Sequence, residues 1–123
     1  LAEAPALWFS DESVGEVLAE PAVFGDVVLG RRDAPASYHL CVTCDDAAQG
    51  VTLVTRGEDL LPATHLHRLL QHLFGWAVPA YAHHGVLRDG DGIRLSKRDG
   101  AATLRGMRAA GAVPAAITDA WRR

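Results

Sequence analysis

The stretch from Val51 to Leu87, VTLVTRGEDLLPATHLHRLLQHLFGWAVPAYAHHGVL, decides the fold. It opens with VTLVTR, a β-branched run that reads as a strand. After GEDLLPAT, Leu66, Leu69, Leu70 and Leu73 recur at i, i+3, i+4 and i+7, one apolar face of a helix. Gly75 stands where a left-handed residue ends such a helix. YAHHGVL reads as a further strand. A strand reached through a helical crossover lies parallel to its predecessor in the same sheet. The expected class is therefore α/β, with ligands gathering at the carboxyl ends of the strands, where Arg56-Gly57-Glu58-Asp59 sits.

Upstream, YHLCVTC (38–44) is a near-continuous apolar run and reads as a strand covered on both faces. Cys41 and Cys44 are the two cysteines. On a strand, residues three apart point to opposite sides and cannot share one metal, so both are expected to be buried structural thiols. Residues 1–37 read as irregular and β-rich: ALWF a short strand, DESVGEVLAEP turn and loop, FGDVVLGRR a strand broken by RDAPAS. Downstream, Thr103 is an expected N-cap for LRGMRAA, Gly111 its terminator, and Val113-Pro114 the start of a last helix.

With 123 residues, 49% of them apolar, the chain can form one modest domain with a core. A net charge of −3 provides no general field for nucleic acid, so an RNA partner needs a local basic patch or another part of the protein. No apolar run reaches the ~20 residues of a membrane helix, and LAEAPALWF lacks the pattern of a signal peptide. A first residue of Leu suggests a fragment. The six histidines form no H-E-x-x-H and are expected at the surface or in ordinary packing. DGDG (89–92) lacks the acidic residue that would complete a calcium loop, position 100 being Gly, and reads as a β-turn. No metal site is expected within the chain.

RLSKR (94–98) resembles the KMSKS signature of class I aminoacyl-tRNA synthetases in its glutamyl form. YHLCVTCDDAAQGVTLVTRGEDLLPAT, LFGWAVPAYAHHGVL and TLRGMRAAGAVPAAI resemble, in order, the segments that flank that signature in the same subgroup. AAQGVT and the upstream GDVVLGRRD are similar to the glutamyl-Q tRNA(Asp) synthetase family, short paralogues without an anticodon-binding domain. The resemblance implies the second half of a Rossmann-type parallel sheet, with part of the acceptor-binding insertion before it and helices after it. The implied boundaries are 1–37 for the end of the insertion, 38–101 for the half-domain with its KMSKS-like loop, and 102–123 for the trailing helices. It implies activation of glutamate with ATP and Mg2+, then transfer to queuosine of tRNA(Asp), by a cytoplasmic, monomeric parent. Lys97 would stabilise the β- and γ-phosphates as pyrophosphate leaves, with Arg94 and Ser96 supporting the loop. Tyr38 and Arg56 match glutamate-binding positions. Asp59 and Leu60 match positions lining the ATP site, and backbone groups of Val86 and Leu87 would read the adenine.

The other family signature, H-[IL]-G-[HN], has no counterpart here, and His84-Gly85 lies too close to the KMSKS-like loop to be it. The chain alone is therefore expected to be inactive, and any zinc ligands of the insertion would lie upstream. An ordinary glutamyl-tRNA synthetase and a non-catalytic nucleotide- or RNA-binding relative are the alternatives.

Overall fold

A computed structural model of the chain describes residues 5–88, 91–92 and 103–121. They form two compact units, Leu1–Val86 and Leu87–Arg123.

The first unit is a four-stranded sheet under two helices. Strands β1 (Trp8–Asp11) and β2 (Gly15–Leu18) form an antiparallel hairpin. Its turn is closed by the Asp11 carboxylate, which accepts from the Ser13 amide (2.8 Å) and hydroxyl, and by Gly15 at φ 85°. Helix α1 (Tyr38–Gln49) follows, then β3 (Leu53–Gly57), helix α2 (Leu61–Phe74) and β4 (Ala80–His84). The strand order is β2-β1-β4-β3, and β4 runs parallel to both β1 and β3. The expected crossover between two parallel strands is thus present, and the chain is α/β. The boundary expected at residue 38 falls inside this unit, because β1 and β2 belong to the same sheet as β3 and β4.

Three local expectations need correction. YHLCVTC is the start of α1, not a strand. The Ser37 hydroxyl caps it by accepting from Leu40 N (3.3 Å), and Gly50 ends it in the left-handed conformation at φ 65°. Cys41 and Cys44 are consequently exposed, one helical turn apart, rather than buried on opposite faces. GEVL, read as loop, is β2, paired along its length with β1. FGDVVLGRR, read as a strand, is not one. Gly25 bends it at φ 59°, Val28 is exposed, and the segment pairs locally, Ser37 N to Leu29 O and Arg31 N to Ala34 O at 2.8 Å each.

The core lies between the sheet and α2. Phe9 and Tyr81 meet edge to face at 5.6 Å, with Leu7 and Ala19 beside them and Val54, Leu61 and Leu69 packed around. The buried face of α2 is rotated from the leucine stripe: Ala63, Leu66 and Leu70 are buried together with the polar Thr64, His67 and Gln71, while Leu73 is exposed. Thr64, His67 and Gln71 fall at i, i+3 and i+7, and so form a polar row on that face. The second unit contains α3 (Leu104–Ala109), capped by the Thr103 hydroxyl on Gly106 N (3.0 Å), and α4 (Pro114–Trp121), both where the sequence placed them.

Leu70 is 1% exposed and Leu73 66%. Leu70→Ala should therefore destabilise the protein by about 2–5 kcal/mol, and Leu73→Ala by less than about 0.5 kcal/mol. Denaturant titration of both variants checks this, and equal losses would contradict the packing described.

Candidate functional site

Arg56 stands at the carboxyl end of β3, in register with His83 on β4. Alternation along the strands turns both side chains toward α2. There Nε of Arg56 donates to Nε2 of His83 (3.0 Å), Nη1 bonds Nδ1 of His67 (3.1 Å), and Nη2 donates to the Thr64 hydroxyl. The guanidinium also lies over the Tyr81 ring, 5.2 Å from its centroid. None of these four partners is a carboxylate.

The network continues in both directions. Nδ1 of His83 meets the buried Asp11 carboxylate, and Nε2 of His67 lies 3.0 Å from Nδ1 of His39 on α1. Arginine N–H groups are permanent donors, so each histidine nitrogen that faces Arg56 must offer a lone pair. His83 therefore carries its proton on Nδ1, toward Asp11, and His67 carries its proton on Nε2, toward His39. Burial raises the Asp11 carboxyl, but its bonds from Ser13 and His83 outweigh this and bring it down to about 2. Burial, reinforced by Arg56, His39 and His83, pushes His67 down to about 3, so it is neutral. Arg56 itself is lowered by burial, against which Tyr81, Tyr38 and Asp46 favour its charge. Asp46 is raised chiefly by burial, with Arg56 opposing.

The expected site residues distribute unevenly. Tyr38, at the first turn of α1, and Arg56 come together: the Tyr38 hydroxyl is close enough to support the guanidinium. Asp59 and Leu60 form the short 3-10 turn (Glu58–Leu60) between β3 and α2. The Asp59 carboxylate and the Val86 side chain close around Gly57, where any Cβ would collide with both. Leu87 belongs to the second unit and is half-exposed. Arg94, Ser96 and Lys97 lie outside the described residues. Asp11, Thr64, His67 and His83 were not among the expected site residues. The signal for two of them was present in the spacing of Thr64 and His67 beside the leucines of α2.

A protein-family model for the catalytic domain of class I tRNA synthetases (E and Q) matches residues 2–123. The chain belongs to this family. It is 61% identical over 93 residues to a glutamyl-Q tRNA(Asp) synthetase of Rhodobacter capsulatus, covering 76% of this chain and 34% of that protein. It is 45% identical over 109 residues to the same-named protein of Symbiobacterium thermophilum, covering 89% and 34%. A glutamate–tRNA ligase of Gloeobacter violaceus is 39% identical over 106 residues, covering 86% and 20%. Among solved structures, a glutamate tRNA ligase from Elizabethkingia meningosepticum in complex with its amino acid superposes with a TM-score of 0.64 at 35% identity, covering 76% of this chain and 19% of that one. The chain thus spans about a third of the length of the glutamyl-Q relatives it matches. No described helix is long and apolar enough to cross a membrane.

A buried neutral histidine makes stability pH-dependent. The unfolded chain protonates His67 near pH 6.5, whereas the folded chain resists until about 3. Between those values the unfolded state binds more protons, so stability falls on acidification, by about 1.4 kcal/mol per pH unit for one proton. The Asp11 contribution is fully present above pH 3.8 and is lost only as the pH falls toward 2. His67→Gln keeps an acceptor for Arg56 and a donor for His39 but cannot titrate. Denaturation midpoints at pH 7 and pH 5 should show the variant losing about 2 kcal/mol less than the parent; parallel losses would place the His67 proton elsewhere.

Proposed function

We propose that this chain is part of an enzyme that activates glutamate with ATP as glutamyl-adenylate and transfers it to queuosine of tRNA(Asp). The observation that carries the reading is a half-buried guanidinium, fixed at the carboxyl end of parallel strands, whose hydrogen-bond partners are all neutral. His83, His67 and Thr64 use three of its five N–H groups, and the two that remain are shared between the Tyr38 hydroxyl and a ligand. No carboxylate is hydrogen-bonded to this partly desolvated charge, Asp46 acting on it through its charge alone, so the site suits an anion from outside, and a planar carboxylate fits the Nη edge beside Tyr38. Relatives named glutamyl-Q tRNA(Asp) synthetase match at 45–61% identity, against 38–39% for those named glutamate–tRNA ligase, which favours the queuosine acceptor.

In this reading Arg56 holds a carboxylate of glutamate, with the Tyr38 hydroxyl beside it. Asp59, Leu60, Val86 and Leu87 line the ATP site. The free substrate carboxylate attacks the α-phosphorus, the bond to the β-phosphate oxygen breaks, and pyrophosphate leaves. Lys97, supported by Arg94 and Ser96, offsets the charge that builds on the leaving oxygens. The acceptor hydroxyl then displaces AMP. Positioning and charge stabilisation suffice, and no side chain forms a covalent intermediate. Magnesium would come with ATP, held mainly by phosphates and water; among the described residues no three His, Cys, Asp or Glu side chains cluster to hold a metal. Residues 1–37 are the end of the acceptor-binding insertion, joined to the sheet through β1 and β2, residues 38–101 the second half of the catalytic domain, and residues 102–123 its trailing helices.

Full-length protein supplied with ATP and labelled glutamate should charge tRNA(Asp) that contains queuosine. It should leave tRNA(Asp) lacking queuosine, and tRNA(Glu), uncharged. Charging of tRNA(Glu) instead would assign the ordinary glutamyl-tRNA reaction.

Arg56→Lys tests the carboxylate role separately. A lysine cannot offer a planar two-bond fork. The glutamate KM should rise about tenfold to a hundredfold, the worth of one hydrogen bond to a charged group, with the ATP KM nearly unchanged. A variant that loses thermal stability but keeps its glutamate KM would confine Arg56 to a structural role.

A further inference from the structure

We propose that Asp11 and His83 are positioning residues that aim Arg56 at its ligand, by fixing which nitrogen of His83 bears the proton. The proposal rests on the reading of Arg56 as a carboxylate receptor. Its physical basis lies in three elements far apart in sequence. Asp11, on the edge hairpin, is buried and takes two bonds from Ser13 through one oxygen. Its second oxygen meets Nδ1 of His83, which is itself 6% exposed. A carboxylate held this way only accepts, so Nδ1 must donate. Nε2 is then left as a lone pair, aimed at Nε–H of Arg56 at 3.0 Å.

This link is specific because the reverse tautomer fails. With the proton on Nε2, two donors would face each other across that gap, and Arg56 would lose the bond and gain a repulsion. Thr64 does not repair this. Its hydroxyl lies 3.3 Å from Nε2 of His83 and could accept a proton there, but Nε–H of Arg56 would still lose its acceptor. The Nε edge of the guanidinium is therefore anchored by His83, and the anchor's polarity is set by Asp11. Fixing that edge leaves the Nη edge in one orientation for a ligand. Lysine-like freedom of the guanidinium would cost alignment of both ligand bonds at once.

The groups in hydrogen-bond or ring contact with the pair and with Arg56 have their own partners. Ser13 is uncharged and holds the Asp11 oxygen that His83 does not use. Tyr81 stacks on the His83 ring at 5.9 Å, and its hydroxyl is taken by the Gln71 amide (2.9 Å). His67 bonds the far side of the guanidinium. No second acidic group among these offers His83 an alternative proton acceptor.

Asp11→Asn is nearly isosteric, but its amide can donate to Nδ1 and so stabilise the reverse tautomer. Nitrogen NMR of the full-length protein, labelled at histidine and without substrates, should show His83 protonated at Nδ1 in the parent and at Nε2 in the variant. Steady-state kinetics of the same variant should show the glutamate KM raised about tenfold, with the ATP KM unchanged. His83→Ala should raise the glutamate KM similarly. His83→Gln, whose amide oxygen can reach toward Nε of Arg56, should recover part of the loss. An unchanged tautomer in Asp11→Asn overturns the control of His83 by Asp11. A flipped tautomer with an unchanged glutamate KM overturns the link to the ligand. If Arg56→Lys leaves the glutamate KM alone as well, it is the carboxylate reading that has failed, and the tautomer result stands by itself. Equal rises in both KM values, without rescue by Gln, would reduce the pair to a structural support.

Discussion

A positive charge taken partly out of water, with no carboxylate hydrogen-bonded to it, constrains everything around Arg56. Three polar side chains on two elements are spent on its N–H groups: His83 from β4, and Thr64 and His67 from successive turns of α2. The hydrophobic core stops where that polar set begins. Phe9, Tyr81 and Leu70 fill the space below, and Tyr81 bridges the two regions with one face toward the guanidinium and its hydroxyl toward Gln71. Such a network stabilises a fold only if its members are satisfied. Here the bonds run continuously from Asp11 through His83, Arg56 and His67 to His39. These bonds and the Tyr38 hydroxyl hold the guanidinium in one orientation.

The same arrangement explains why the hairpin at the start of the chain matters to a site formed mostly by β3, β4 and α2. Asp11 closes the β1–β2 turn with one oxygen and receives His83 with the other. A residue that reads as an ordinary turn former thus couples the sheet edge to its centre. The face of the sheet opposite α2 carries Trp8, Leu18 and Leu53, each 41–50% exposed. Sheets with parallel strands are usually covered on both faces.

Much of this was legible in the sequence, and the misses have physical causes. The strand–helix–strand unit was readable because β-branched alternation and a leucine repeat have different periods. Gly75, Thr103 and Pro114 marked helix ends through backbone chemistry that depends little on context. α1 was misread because a seven-residue apolar run fits a buried strand and a helical turn equally well. The deciding signals were its flanks: Ser37 before and Gly50 after, with twelve residues between them, a span longer than most strands. The polar row of Thr64, His67 and Gln71 adds nothing to the apolar periodicity of α2, although its residues are buried. Arg56 and Tyr38 were found through resemblance, but their partners were not. Asp11 and His83 lie 72 positions apart, and their pairing exists only once β1 and β4 lie side by side.

A crystal structure of the full-length protein with glutamate bound tests the central claim most directly. The account predicts a glutamate carboxylate within about 3 Å of both Nη nitrogens of Arg56, with the bonds to His83, His67 and Thr64 retained. Glutamate ordered elsewhere, with the Nη nitrogens turned onto protein carboxylates instead, would contradict it.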